Sequence, residues 1–187
     1  MFLVNDVVDV SAARQGHLRA MTTADLESIL KLRNHAEIRR YMLTHHEISL
    51  KEHLSWFDRA SQDPSLELLV FEINKICCGF VQFKETNYSG VVDWGFYVTP
   101  DAPKGTGRKL GLSAINHAFK KKNLHKICGQ ALHWNQPSIE FHKLLGFVQE
   151  GILRDQHYDG TAYYDLICFG MLKREWVAKE SLAGTNK

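Results

Sequence analysis

The segment Lys104-Gly-Thr-Gly-Arg-Lys109 combines the residue types that bind a phosphate group. Its two glycines allow main-chain N–H groups to close around an anion, and its three cations supply positive charge. We predict that a helix starts here, so that its N-terminal partial charge adds to the site. The segment matches neither a GxxxxGK[ST] loop nor a complete dinucleotide-binding loop. A pyrophosphate site is one interpretation, and a glycine-rich turn in a basic surface loop is the other.

A second polar segment, Asn135 to Phe147, follows the next predicted strand. Pro137 suits the start of a short helix, and the Asn135 side chain can cap its first turn. Ser138 and His142 are four residues apart, which places them on one helix face. The segment therefore presents a serine and a histidine on the same side of a helix.

Strands and helices must position these two segments, and hydrophobic patterning predicts the order β-α-α-β-β-β-α-β-α-β-β. Ser49 with Glu52 forms a capping-box pattern at the start of the second helix. The apolar positions of that helix are Leu50, Leu54 and Phe57. The strands are expected at residues 17–21, 66–73, 76–85, 91–98, 126–132, 147–154 and 162–171. The helix that follows the glycine loop should bury Leu110, Ala114, Ile115, Ala118 and Phe119.

The two polar segments together resemble the GCN5-related N-acetyltransferases (GNATs). That family has a [Q/R]xxGx[G/A] loop after its fourth strand, then a strand, then an NxxAxxxYxxxGF segment. The resemblance covers roughly His17 to Trp176 and matches the predicted element order. It implies an α/β (α+β) acyl-CoA N-acyltransferase fold, with a mixed, mostly antiparallel seven-stranded sheet and about four helices. It also implies an enzyme that uses acetyl-CoA as cosubstrate. We expect a GNAT domain at 17–176, an N-terminal arm at 1–16 and a C-terminal tail at 177–187.

The resemblance implies that CoA contacts the glycine loop and the strand that precedes it. Two loop positions depart from the family motif, since Lys104 stands where the family has Gln or Arg and Lys109 where it has Gly or Ala. Most phosphate contacts should come from the main chain, which tolerates both changes. The implied cofactor-binding residues are Phe96, Tyr97, Val98, Lys104, Gly105, Thr106, Gly107, Arg108, Lys109 and Asn135.

Two residues take the catalytic positions of the family. His142 replaces a tyrosine that protonates the departing thiolate in many members. A histidine can do this if its pKa is raised, and otherwise it is a partly buried, hydrogen-bonded histidine without a catalytic role. Asp93 replaces a general-base Glu, and it is either that base or a structural acid. An acceptor amine with a pKa near 8 is already substantially neutral, so a base would add little.

At finer grain, the chain resembles bacterial GNATs that acetylate the 4-amino group of UDP-4-amino-4,6-dideoxy-N-acetyl-β-L-altrosamine, a step towards pseudaminic acid used in flagellin glycosylation. The matching segments are Leu32–His35, Ile48–His53, Trp94–Tyr97, Asp101–Gly107 and Cys128–Gln130. From this resemblance Arg33 and His53 would bind the diphosphate of the acceptor, and Tyr97 would line its pocket. Arg33 and His53 could instead be solvated surface residues. An acetyltransferase of protein N-termini or of a small amine stays open, as does a non-catalytic acyl-CoA-binding domain.

The composition excludes several other classes. The net charge of +2 gives no argument for a nucleic acid or membrane partner, and no apolar run reaches the roughly 20 residues that span a bilayer. The first ten residues do not resemble a secretory signal. We expect the four cysteines, Cys77, Cys78, Cys128 and Cys168, to be buried free thiols in the cytoplasm. No HExxH or HxxxH pair indicates a metal. A homodimer stays open.

Overall fold

The computed structural model describes residues 16–184, which form one seven-stranded sheet with helices on its faces. The strands lie in the order β1-β2-β3-β4-β5-β7-β6. Their bounds are β1 His17–Ala20, β2 Leu66–Ile73, β3 Ile76–Glu85, β4 Val91–Val98, β5 Lys126–Leu132, β6 Val148–Tyr158 and β7 Tyr163–Leu172. The helices are α1 Leu26–Asn34, α2 Ala36–Arg39, α3 Leu50–Gln62, α4 Thr106–Asn116, α5 Gln136–Leu145 and α6 Lys173–Gly184. The predicted fold class is confirmed.

Local sequence signals account for several of these elements. The β2–β3 turn places Asn74 and Lys75 in the left-handed region, at φ 53° and φ 64°. Asparagine tolerates this conformation better than most residues, so the Asn-Lys pair permits a tight hairpin. The capping box that we predict at α3 is present, because the Ser49 hydroxyl accepts from the N–H of Glu52 and the Glu52 carboxylate accepts from the N–H of Ser49.

Strands β4 and β5 run parallel and separate along their length. Their ladder joins Val91–Asp93 to Lys126–Cys128, and it ends there within residues 16–184. Every other neighbouring pair in the described sheet is antiparallel. The second half of β4 therefore leaves a gap beside β5, where main-chain groups are available to a ligand.

Helix α4 packs over the sheet with its predicted inner face. Leu110, Ala114 and Ile115 are fully buried, and Ala118 and Phe119 continue this face in the π-helical turn His117–Lys121. A Cβ on Gly111 would lie 2.6 Å from Leu145 Cδ1, so glycine at this position lets α5 approach α4 closely. The same packing brings the second polar segment beside the glycine loop.

The described structure corrects one expectation, that all four cysteines are buried, and leaves another outside its range. Leu50 and Leu54 are 56% and 46% exposed, whereas α3 buries His53 and Ala60 against a second apolar cluster. Helix α6 spans Lys173–Gly184, and its buried Trp176 packs in the main core. The proposed N-terminal arm lies outside the described residues, except for Gly16. The four cysteines are free thiols, and three of them are only partly buried.

Candidate active site

A cavity of about 1220 Å³ lies where the β4–β5 gap meets helices α1, α3 and α5. One side is lined by Gly107 and by Asn135, Ser138 and Phe141 of α5. The other side is lined by residues of the α1–α3 segment. The residues from Trp94 to Val98 form its floor. The cavity therefore extends from the region of the glycine loop to the α1–α3 segment, and its volume is that of a ligand-binding site.

The glycine loop leads directly into α4. Gly105 is the N-cap, with φ 91°, a conformation that favours glycine. The Thr106 hydroxyl donates to the carbonyl of Pro103 at 2.7 Å and so fixes the turn, while the N–H of Lys109 is bonded to the carbonyl of Gly105. The first N–H groups of a helix have no intrahelical partner, and here they lie beside exposed Lys104 and Arg108. This arrangement can bind a phosphate.

Strand β4 presents its predicted residues to the cavity. Phe96, Tyr97 and Val98 all line it, together with Gly95. Because the ladder to β5 ends at Asp93, the main-chain groups of these residues can pair with an extended, amide-bearing molecule. Asn135 caps α5, since its side chain accepts from the N–H of Ser138 at 3.1 Å.

His142 has both ring nitrogens engaged. Trp94 Nε1, which can only donate, lies 3.1 Å from His142 Nε2, so Nε2 is the acceptor. The proton is then on Nδ1, which donates to the carbonyl of Ser138 at 2.7 Å. The residue is 1% exposed, and burial lowers its pKa to about 4. A neutral histidine in this tautomer has no proton available for a thiolate, so the geometry does not fit the proton-donor role implied by the resemblance.

Asp93 lies outside the residues that line the cavity. It pairs with Lys84 of β3 and Cys128 of β5 in the ladder, and its exposed side chain is one strand repeat away from Gly95. Partial burial raises the pKa of the carboxyl from its usual value. The structure therefore does not bring Asp93 to the site, and the general-base interpretation lacks geometric support.

Arg33 and His53 do line the cavity, and each leaves a buried nitrogen unpaired. Arg33 Nη2 donates to the carbonyl of Thr44 at 3.1 Å, but Nη1 has no hydrogen-bond partner in the described chain. His53 is 4% exposed, and its Nε2 likewise has none. Burial lowers the pKa of both groups. Tyr97 completes this part of the cavity, stacked on Phe80 with ring centroids 5.1 Å apart.

The two carboxylates that line the same cavity already have partners within the chain. Glu37 forms an ion pair with Arg40 at 2.7 Å. Hydrogen bonds from Ser49 and His46 lower the pKa of Glu52 to about 2, so this carboxylate is ionised and bonded at the helix start. Arg33 therefore has no acidic partner among the hydrogen bonds and ion pairs of the described residues.

Comparison with known proteins identifies the family of this chain. The acetyltransferase (GNAT) domain model matches residues 17–148, which is most of the chain. The chain belongs to the GNAT acetyltransferase family. This acetyltransferase is thus an acetyl-CoA-dependent enzyme that acetylates amines.

Several relatives of this acetyltransferase are named as acetyltransferases, and one name specifies its amine. It is 28% identical to spermidine N(1)-acetyltransferase of Vibrio cholerae over 80% of this chain and 88% of that protein. It is 27% identical to acetyltransferase PseH of Campylobacter jejuni over 66% of this chain and 76% of that protein. The prophage-derived N-acetyltransferase YokL of Bacillus subtilis is 35% identical, over 44% of this chain and 49% of its own length.

A solved structure gives a similar comparison for the fold. Spermidine N-acetyltransferase from Vibrio cholerae, in complex with CoA and spermine, superposes with a TM-score of 0.79 at 26% identity. The match covers 87% of this chain and 98% of that one. Within residues 16–184 of this acetyltransferase, no helix is long and apolar enough to cross a membrane.

Sequence reasoning missed many residues of the cavity wall, among them Trp56, Gln82 and Trp94. Trp94 was part of a matching segment, but only its contact with His142 gives it a role. Trp56 is stacked on His53 with ring centroids 5.1 Å apart. Its position could have been inferred from His53, because residues three apart share a helix face. For Gln82 no sequence signal was present.

Proposed function

We propose that this acetyltransferase acetylates the 4-amino group of a UDP-amino sugar, the reaction of pseudaminic acid biosynthesis suggested by its resemblance to PseH. The supporting observation is the pair of unpartnered nitrogens, Arg33 Nη1 and His53 Nε2, in one cavity wall. A buried guanidinium N–H without a partner is costly, and an acceptor that carries phosphate groups would supply the missing oxygen atom for Arg33 Nη1. The relative PseH, at 27% identity, supports the same class of acceptor.

A polyamine is the acceptor that other relatives suggest, and the cavity favours it less. A polycation would need free carboxylates, but Glu37 and Glu52 are bonded to groups of this chain. It would also approach Arg33, whose positive charge repels it. An acceptor with an anion at one end and an amine at the other satisfies both constraints.

In this proposal the two substrates meet at the β4–β5 gap. Main-chain groups of Gly105 and Gly107 hold the pyrophosphate of CoA, with Lys104, Arg108 and Lys109 around them. Thr106 holds the turn in shape, since its N–H and hydroxyl both donate to the carbonyl of Pro103. The main chain of Phe96–Val98 orients the thioester, whose activated acetyl group is the donor. Arg33 and His53 hold the acceptor so that its neutral amine faces the gap. An amine with a pKa near 8 needs little help from a base at neutral pH.

The test is a substrate panel with release of the CoA thiol as the signal. The panel contains the UDP-4-amino sugar, spermidine and peptides with free N-termini. We expect the UDP-4-amino sugar to give the highest kcat/KM. Arg33→Ala should raise its KM roughly 10- to 150-fold, as expected for the loss of about 1.5–3 kcal/mol from a charged hydrogen bond, and leave the KM for acetyl-CoA nearly unchanged.

Arg154→Ala is the matched control, because Arg154 is exposed on β6 and does not line the cavity. If Arg33→Ala changed the KM for the UDP-amino sugar and the KM for acetyl-CoA equally, or changed neither, Arg33 would not be an acceptor-binding residue. Faster acetylation of spermidine or of a peptide than of the UDP-amino sugar would replace the proposed substrate. CoA binding without acetylation of any amine in the panel would favour a non-catalytic domain.

A further inference from the structure

Residues from two elements are hydrogen-bonded to each other at the cavity floor. Trp94 of β4 donates to His142 of α5 at 3.1 Å, and His142 donates to the carbonyl of Ser138 one helical turn earlier at 2.7 Å. Trp94 is 6% exposed and His142 is 1% exposed, so little water competes for these bonds. The indole and the imidazole are therefore joined in one defined geometry.

The bond between them crosses β5 at Gly129. A Cβ on Gly129 would lie 2.6 Å from Trp94 Nε1 and would also collide with His142 Nε2. Gly129 directly follows Cys128, and Trp94 directly follows Asp93, the last pair of the β4–β5 ladder. The side-chain bond thus lies at the point where the two strands stop pairing.

Aromatic rings hold the imidazole in this orientation. His142 is stacked on Phe169 of β7, with ring centroids 4.6 Å apart and planes 10° apart. Phe147 meets it edge-on at 5.2 Å. Rotation of the ring would break both hydrogen bonds and leave two buried nitrogens unpaired, which is unfavourable. Ring contacts and two hydrogen bonds thus hold the histidine in one orientation.

We infer that Trp94 and His142 form a positioning pair, which sets the width of the β4–β5 gap and the alignment of α5 with β4. Strand β4 carries Gly95–Val98 along one side of the gap, and α5 carries Ser138 and Phe141 along the other. A thioester in the gap would touch both elements. Small errors in the alignment of reacting groups reduce the rate strongly, whereas the CoA phosphates bind at the other end of the cavity. This inference rests on the acetyltransferase activity and not on the identity of the amine.

The experiment removes the bond from each side and from both. Trp94→Phe keeps an aromatic ring and removes the donor, and His142→Phe removes the acceptor. Steady-state kinetics use acetyl-CoA with the UDP-4-amino sugar, or with spermidine if that is the amine acetylated. We expect each variant to lower kcat roughly 10- to 100-fold with little change in the Kd of CoA measured by calorimetry. The double variant should be no slower than the slower single variant.

A conservative replacement separates positioning from proton transfer. The amide of His142→Gln can accept from Trp94 and donate to Ser138, so this variant should recover most of kcat with an unchanged pH profile. Trp134→Phe is the control for loss of an indole N–H, since Trp134 does not line the cavity. Multiplicative loss in the double variant, or wild-type kcat in Trp94→Phe, would overturn the inference. A third result would also overturn it: a kcat of His142→Gln as low as that of His142→Phe, with wild-type kcat in Trp94→Phe. That pattern would assign His142 to proton transfer. If His142→Phe does not fold, Trp94→Phe and His142→Gln decide the question alone.

Discussion

Gly107→Ala should separate CoA binding from folding. A Cβ at this position would lie 3.6 Å from Phe141 Cε2 and 4.0 Å from Val98 Cγ2, both ordinary van der Waals distances. The residue lies in the first turn of α4 and outside the left-handed region, where alanine is preferred over glycine by about 0.5–1 kcal/mol. The variant should therefore unfold at the same temperature as the wild type or slightly higher.

The same methyl group should weaken CoA binding. Gly107 lines the cavity, so its Cβ would stand between the helix start and an approaching phosphate. Loss of one charge-assisted hydrogen bond costs about 1.5–3 kcal/mol, which corresponds to a roughly 10- to 150-fold rise in Kd. Titration calorimetry with CoA measures this directly. Gly151→Ala on β6 is the control, because its Cβ would meet no atom of the described chain within 4 Å. Wild-type affinity in a folded Gly107→Ala protein would refute the assignment of this loop to the phosphates.

Two further predictions concern the titratable groups. Asp93→Asn should keep kcat within about 2-fold and leave the pH profile of kcat unchanged, because its carboxylate does not line the cavity; loss of the acidic limb, or about a 100-fold loss of rate, would restore it as the base. Burial lowers the pKa of His142 to about 4, so between about pH 6.5 and pH 4 the unfolded chain binds more protons than the folded one. Stability is therefore lost as the pH falls through this window, by roughly 2 kcal/mol at about pH 5. Urea unfolding should show that His142→Gln loses less stability than the wild type as the pH falls. An equal loss of stability would mean that other groups control the pH dependence.

The elements that the sequence predicts well are those whose signals are local. The inner face of α4 is set by helical spacing from Leu110 to Phe119, and all five predicted positions are buried. The bounds of β2 and β3 follow from a hairpin turn between two apolar runs. Strand β6 extends beyond its predicted end at Arg154, because it pairs with β7 past the irregularity between Leu153 and His157. Such pairing is decided by the partner strand.

The face of α3 shows where local reasoning stops. Its leucines suggest an apolar stripe through Leu50 and Leu54, but the helix turns His53 inward beside Trp56. Burying a histidine in place of a leucine sacrifices apolar contact and leaves Nε2 unpaired, which local folding energetics do not favour. A ligand that bonds to this nitrogen would offset that cost. The deviation from the hydrophobic pattern is thus itself an indication of a site, although only the three-dimensional packing reveals it.

The role of His142 depends on partners that its sequence neighbours do not include. Its position in the second motif suggests proton transfer, because a tyrosine in many relatives has that function. Trp94 is distant in sequence, and its indole N–H can only donate, so together with the Ser138 carbonyl it determines which ring nitrogen carries the proton. Residue type and motif position therefore predict that a polar group belongs at this place in the fold. Whether that group exchanges a proton or holds two elements together follows from what occupies its two nitrogens.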